Sequence, residues 1–420
     1  PGLSFRIKGS YNSAFTVNKE INVTRAYYTP VIQPDGSMNY KMYGQDTNPA
    51  YTEKNAKARD WYFEAGFNYN RSFGLHSIGG LVLYNQSKTY YPKTYSDIPA
   101  GYVGLVGRVT YDYDNRYMAE FNVGYNGSEN FHPDHRFGIF PAGSIGWIAS
   151  NEKFWEPLNN VIDFFKLRAS VGLVGNDRVQ NNLARFMYLS DPFTFNSSVF
   201  GREGYGYQYG IDNRTLTTGA AESAKNNPDV TWEKALKRDY GFDMYFLNSN
   251  LRATFDYYKE HRTGILLQDG TAPSYIGFTV PYANLGVVDS WGWEISLNWN
   301  HRINDSWRYW ANLNISHNQN KVVEMKEAPQ NNIYQYSAGH RIGARSMYKF
   351  FQFYDSETTP AAYEKAYGKP FPKQLTELKD GDACYVDLDG NGIIDPNDKT
   401  RDLGWTDDPQ YIAGLNLGVA

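Results

Sequence analysis

The sequence predicts an all-β protein whose strands are of the transmembrane antiparallel β-barrel type, and three observations carry that prediction. Apolar and polar residues alternate with a period of two in about twelve segments, the signature of strands with one greasy and one polar face. Short turns and long loops alternate between those segments, as they do at the two ends of an outer-membrane barrel. The strand-borne charges Arg6, Lys8, Glu64, Arg108, Asp112, Glu120, Lys166, Arg168, Asp239, Asp243, Arg252, Asp256, Glu294 and Arg308 all fall opposite the apolar stripe. A Lys or Arg on a lipid face near the midplane would cost about 2–4 kcal/mol. A soluble β-sandwich also keeps charge off its core face, so a surface adhesin or carbohydrate-binding module is the alternative. Strands near ten residues and aromatics at the stripe ends favour the barrel.

Composition agrees. Aromatics make up 17% of the 420 residues, 36 of them Tyr, while mean hydropathy is −0.61. A barrel averages out this way, because each lipid-facing residue is followed by a lumen-facing one. No run of about 18 apolar residues occurs, which excludes a membrane-spanning helix. The net charge of −4 without a Lys/Arg block argues against nucleic acid as a partner. Cys384, the single cysteine, cannot form an internal disulfide.

In chain order, Leu3, Phe5 and Ile7 open the first stripe, and a long polar stretch follows from about Asn12 to Arg59. Trp61, Phe63, Ala65, Phe67 and Tyr69 lead to a turn at Ser72–Gly74 and a return strand, then a loop with Pro92 and Pro99. Val103 to Tyr113 and Tyr117 to Tyr125 flank a tight Asp114-Asn115 turn. Ile139–Ala149 and Phe165–Leu173 make another pair, before a loop of roughly 55 residues from Gly175 to about Thr231. Tyr240 to Phe246 turns at Asn248-Ser249-Asn250 into Leu251 to Tyr257.

The most regular hairpin comes next. Trp291, Trp293, Ile295, Leu297 and Trp299 alternate with polar residues, and Trp307, Tyr309, Ala311, Leu313 and Ile315 return. At about 3.3 Å per residue and a tilt of about 40°, Trp291 to Trp299 covers roughly 20 Å, close to the apolar band of a barrel. A long connection, 321–409, precedes the last stripe, Tyr411 to Val419. The chain starts at Pro1 without an initiator Met and alternates to its last residues, so it reads as part of something longer.

Within that long connection, residues 387–398 read DLDGNGIIDPND. They fit a calcium loop: Asp387, Asp389 and Asn391 at positions 1, 3 and 5, glycine at 6, the Ile393 carbonyl at 7, Asp395 at 9 and Asp398 at 12. Calcium wants six to eight oxygens in this order, with glycine for the sharp turn. Asp398 stands where a bidentate Glu is usual and is one methylene shorter, which predicts weak affinity. Ile394 is expected to anchor the loop in an apolar cluster. The alternative is a metal-free acidic turn.

Other signals carry less. Pro133 breaks the helix that His132 and His135 would need to act as paired ligands. GREGYGYQYG at 201–210 lacks the Lys-Ser/Thr of a phosphate loop, although Tyr205, Tyr207 and Tyr209 suit stacking on sugars. No nucleophile arrangement emerges, and no two carboxylates stand out as a glycosidase pair. The reading is of a protein that is not an enzyme.

From Gly104 the chain reads GLVGRVTYDYDNRYM, then RFGIFPAGSIGW from Arg136 and FFKLRASVGLVGN from Phe164. Trp232-Glu233-Lys234, FDYYKEHRTGILL from Phe255, NLGVVDSWGWEISLNW from Asn284 and YVDLDGNGIIDPNDKT from Tyr385 follow in order. Together these resemble the SusC/RagA family of TonB-dependent outer-membrane transporters of Bacteroidetes, from Trp61 onward. The resemblance implies a 22-stranded barrel with an N-terminal plug, energised through TonB, importing glycan or peptide cargo. It implies a SusD-like surface lipoprotein as partner, often in a dimer of transporter–lipoprotein pairs. Residues 1–420 then represent part of the barrel, with the plug and last strand outside them and 321–409 as an extracellular loop. Loop tyrosines favour a glycan cargo. Arg108, Glu120, Lys166 and Arg168 are expected to line the passage or meet the plug.

Overall fold

The computed structural model describes residues 2–90, 99–178, 186–189, 193–196, 206–209, 215–222, 225–276, 280–304 and 306–420, with backbone alone at 193–196, 206–209, 215–222 and 274. Its strands are β1 (Leu3–Asn22), β2 (Tyr27–Ile32), β3 (Met38–Tyr43), β4 (Ala50–Phe73), β5 (His76–Tyr90), β6 (Ala100–Tyr113), β7 (Tyr117–Ser128), β8 (Phe137–Ile148) and β9 (Ile162–Asn176). There follow β10 (Phe193–Asn196), β11 (Gly206–Tyr209), β12 (Thr215–Glu222), β13 (Glu233–Phe246), β14 (Leu251–Gln268), β15 (Tyr282–Arg302) and β16 (Arg308–Glu324). Short strands β17 (Met347–Tyr348), β18 (Phe350–Phe353), β19 (Ala383–Tyr385) and β20 (Lys399–Thr400), one helix α1 (Thr359–Tyr367) and β21 (Tyr411–Val419) complete it. Twelve of these strands belong to the antiparallel sheet. Among the described residues no helix is long and apolar enough to cross a membrane.

The chain divides into two compact units: Pro1–Ser4 with Phe67–Val82 and Leu105–Ala420, and Phe5–Gly66 with Leu83–Gly104. In the larger unit, β7, β8, β9, β13, β14, β15, β16 and β21 are successive antiparallel neighbours. Tight turns set the register. Asp114 and Asn115 both take positive φ, 54° and 51°, and Asp112 accepts the Asn115 amide at 2.9 Å. Leu247, Asn248 and Ser249 do the same between β13 and β14.

The register places like with like. One row of cross-strand partners runs Ala119, Ile145, Ala169, Tyr240, Tyr257, Trp293, His317, Tyr411. Two residues toward the tight turns, Phe255, Ile295, Ile315 and Ala413 continue the apolar face, and Leu251, Trp299, Ala311 and Leu417 close it. Tyr240, Leu417 and Tyr411 are each half exposed or more, as an apolar face is when lipid rather than protein covers it. On the other face, one residue over, lie Gly146, Arg168, Gly241, Asp256 and Glu294.

The strands outrun the ten or so residues expected from the apolar stripes. β15 has 21 residues, a rise of about 53 Å at the tilt of a membrane barrel, so it extends well past the apolar band on the long-loop side. β16 likewise continues to Glu324, which leaves 325–410 as the connection proper. The stretch from Asn12 to Arg59 is not one polar loop. In the smaller unit β1 runs on to Asn22 and β4 begins at Ala50, joined by Arg6–Glu64 at 2.6 Å and Asn12–Asp60 at 2.8 Å, with the β2–β3 hairpin between them. On β1 Tyr11, Phe15, Val17 and Ile21 prolong the stripe of Leu3, Phe5 and Ile7 but Ser13 and Lys19 interrupt it, and on β4 both faces are largely polar before Trp61.

A small core sits at the long-loop end of the larger unit, where Phe131, Phe140, Val230, Trp232 and Leu266 are buried together. Trp232 Nε1 donates to the Arg136 carbonyl at 3.1 Å. The neighbouring Glu233 carboxylate, itself buried, accepts from Asn176 Nδ2 at 2.8 Å and from the Leu266 amide at 3.0 Å.

Candidate functional site

Two features of the larger unit are built for function, the acidic loop and the charged face of the sheet. The acidic loop leaves β19, whose Cys384 is wholly buried and donates from Sγ to the Gln352 carbonyl at 2.9 Å. Burial pushes that thiol up from its ordinary value. Helix α1, ended by Gly368 with φ of 66°, presses Tyr363 beneath the loop. Tyr363 is 1% exposed, and its hydroxyl accepts the Asp387 amide at 3.1 Å. Ile394 is 5% exposed, and its amide donates to the Lys373 carbonyl at 2.7 Å.

Three carboxylates converge over this base. One oxygen each of Asp387, Asp389 and Asp398 lies within 4.8 Å of the others. Asp398 is completely buried and accepts the amides of Leu388 at 2.7 Å and Asp395 at 2.8 Å. Asp387 accepts the amides of Gly390 at 2.6 Å and Gly392 at 2.9 Å. Asn391 Oδ1 accepts the Ile393 amide at 2.9 Å, while Asp395 accepts the Asn397 amide at 2.7 Å and caps the single turn Pro396–Asp398. Gly392, the sixth position, has φ of 87°, a conformation natural only to glycine. The Ile393 side chain is exposed, so what this residue offers the loop is its backbone. The donor set is all oxygen, the chemistry of a hard cation.

The loop's negative field reaches Tyr334. Burial, followed by the carboxylates of Asp389, Asp398, Asp387 and Asp395, pushes its hydroxyl up to about 12. That hydroxyl donates to the Asn397 carbonyl at 2.8 Å. Around it Asn331 Nδ2 donates to Asn397 Oδ1 at 2.8 Å and Gln335 Nε2 to the Pro396 carbonyl at 3.2 Å. The far end of the acidic loop therefore clasps residues 331–335, about 60 positions earlier in the chain.

On the charged face Arg168 is the centre. It lies 2.7 Å from Asp256, 3.3 Å from Asp243 and 3.7 Å from Asp239. Reaching Asp256 requires passing over Gly241, the residue between them in register. A Cβ on Gly241 would stand 2.3 Å from Asp256 Oδ1 and 3.0 Å from Arg168 Cζ. Of the other charges expected here, Glu120 accepts from Asn122 at 2.6 Å, and Lys166 pairs in register with Asp243 and Ile148. Farther along the same face Lys237 and Arg262 both neutralise Glu260, at 3.2 Å and 2.7 Å. The Trp232–Glu233 junction precedes the β13 stripe and carries no period-two alternation, so in the sequence only the family resemblance marks it.

His132 caps the short turn Pro133–His135, as a polar loop would. Pro92, Tyr205 and the side chains of Tyr207 and Tyr209 lie outside the described residues.

Comparison with known proteins gives this arrangement its context. The family described as "TonB dependent receptor-like, beta-barrel" matches residues 2–406. TonB-dependent receptor P3 of Formosa agariphila is 28% identical over 367 residues, 84% of this chain and 34% of that protein. TonB-dependent receptor SusC of Bacteroides thetaiotaomicron is 27% identical over 312 residues, 71% of this chain and 28% of the relative. The structure of the RagAB peptide importer in its closed-closed state superposes with a TM-score of 0.71 at 18% identity, covering all of this chain and 44% of that one. The chain thus spans about a third of the length of the curated relatives it matches.

Proposed function

This chain belongs to the TonB-dependent receptor β-barrel family, and on that premise we propose that it forms part of the wall and long-loop rim of a SusC-like importer in the outer membrane. The observation that carries the reading is the division of one sheet into an apolar face of register-matched rows and a face organised on Arg168. The first suits lipid and the second a polar lumen. Transport, not catalysis, is the activity this supports.

The cargo we propose is a large nutrient, with oligosaccharide favoured by exposed aromatics on the loop side such as Tyr275, which suit stacking on sugar rings. A SusD-like lipoprotein is the proposed partner. It would meet the connection 325–410, where Ile333, Phe353 and Trp405 are 87%, 68% and 67% exposed, and exposed apolar side chains of this size mark interaction sites. The proposed metal is calcium, held by Asp387, Asp389, Asn391, the Ile393 carbonyl, Asp395 and Asp398, and its role is to stiffen that rim. TonB would act through parts of the protein beyond this chain, and assembly as a dimer of transporter–lipoprotein pairs belongs to the same reading.

The test is extraction of the native membrane in mild detergent, isolation of the particle containing this sequence, and mass spectrometry of every polypeptide in it, followed by uptake of labelled oligosaccharides and peptides by cells with and without the gene. Co-isolation of a surface lipoprotein and gene-dependent oligosaccharide uptake are expected. Peptide uptake alone would overturn the cargo, and recovery of the chain in the soluble fraction would overturn the importer.

A further inference from the structure

We infer that the lipid-facing wall carries a site for a phosphorylated lipid of the outer leaflet, formed by Arg238 and Lys259 at the head of an apolar groove. These two residues share the face of Tyr240 and Tyr257, so they point away from the charged lumen side, in contrast to every strand cation singled out by the sequence pattern. They are direct cross-strand partners, and the row runs on from Lys259 to Trp291. Like charges placed directly opposite each other destabilise a sheet unless something neutralises them. Neither enters an ion pair among the described residues, nor does either carry an interaction left unstated. One position over, on the lumen side, Lys237 and Arg262 share Glu260. At this height the sheet neutralises the inner cations Lys237 and Arg262 and leaves the outer pair bare.

Height and shape specify the occupant. Arg238 and Lys259 stand two residues beyond the row Tyr240, Tyr257, Trp293, toward the long loops, about 5 Å above it. An aromatic row marks the membrane interface, so the pair lies at headgroup level, in the outer leaflet. Two further cations, Lys234 on β13 and Lys321 on β16, are exposed on the same face. The acid among them, Asp289, is already held by His261 at 2.6 Å. On the other flank a groove of about 470 Å³ opens over Ala119, Gly143 and Ala169, walled by Phe121, Val171 and Tyr240. Val171 is the register partner of Arg238, so the groove ends at the cation pair. Small residues between large ones leave a trough of acyl-chain width, and the cations, in the same cross-strand row as Phe121, Gly143 and Val171, stand at its end and supply charge complementarity to a phosphate.

The experiment uses the full-length protein in its native assembly, purified in a neutral detergent and titrated with phosphorylated lipid A, its dephosphorylated form, or inorganic phosphate, with bound species counted by native mass spectrometry. We expect lipid A to be retained, R238Q/K259Q to lower retention at least tenfold, and the dephosphorylated lipid to bind wild type as weakly as lipid A binds that variant. Gly143→Leu, which fills the groove, should weaken lipid A without changing the charge. Arg238→Lys should keep binding, and it keeps the test decisive if the double variant does not fold. Undiminished retention by a folded R238Q/K259Q, or equal retention of the dephosphorylated lipid, overturns the site. Displacement of lipid A by inorganic phosphate at equal concentration would assign the pair to free phosphate and overturn the lipid.

Discussion

Gly241 shows how one absent side chain organises a wall. The Arg168 guanidinium crosses it to reach Asp256, and a Cβ would meet both that carboxylate and the Phe255 carbonyl, the latter at 2.8 Å. The pair is partly exposed, with side-chain accessibilities of 33% and 19%, so its loss falls between the small value of a surface pair and the larger cost of a buried one. Gly241→Ala is therefore expected to destabilise the barrel by about 1–2 kcal/mol, read as a lower temperature for loss of the compact band in unboiled gel electrophoresis. An unchanged transition would show that Arg168 is held by Asp243 and Asp239 alone. The sequence shows Arg168 and the three aspartates on one face, because parity along a strand needs no tertiary information. It does not show that they meet, since that depends on register between strands separated by a loop of more than 50 residues. The acidic loop is the opposite case, with its spacing written in twelve consecutive residues.

At the scale of elements, β13 depends on the junction just before its stripe. Trp232 packs on Phe131 and Phe140 at ring separations of 5.4 Å and 5.2 Å, and Glu233 ties β9 to β14. Trp232→Ala removes the largest member of that core, and such truncations cost about 3–5 kcal/mol where the cavity cannot collapse. The barrel strands below keep their ladders, so the expected effect is local: rapid protease cleavage on the long-loop side at 226–231 or 264–268, with the compact band in unboiled gels retained. Cleavage no faster than in wild type would mean that the core does not fasten these ends. Strands such as β14 and β15 were legible wherever lipid demands an apolar face. Their extensions past the apolar band were not, because apolar residues run consecutively there, as at Ile265–Leu267 and Val287–Val288, and Leu266 is buried in the loop-side core. Helix α1 has a proline in its first turn and a glycine stop at Gly368, signals that leave no period-two stripe.

At the scale of the whole molecule, the long connection 325–410 must hold a shape of its own beyond the membrane, and its fastening runs through the acidic loop. The turn Pro396–Asp398 grips Asn331, Tyr334 and Gln335, and the same turn ends in Asp398, whose carboxylate faces Asp387 and Asp389. Three carboxylates this close repel one another without a cation between them. A cation that binds only the folded loop stabilises it by about 2.7 kcal/mol when present at a hundred times its dissociation constant. Removing divalent cations from the purified protein should therefore accelerate proteolysis within 325–410 and leave the barrel strands uncut. Calcium should restore protection, and magnesium at the same concentration should not, since it demands stricter octahedral geometry and gives up water reluctantly. Asp398→Ala should be cleaved quickly whether or not calcium is added. If chelation leaves wild-type cleavage unchanged, the backbone amides that cap Asp387 and Asp398 suffice to hold the loop, and the rim is rigid without a metal.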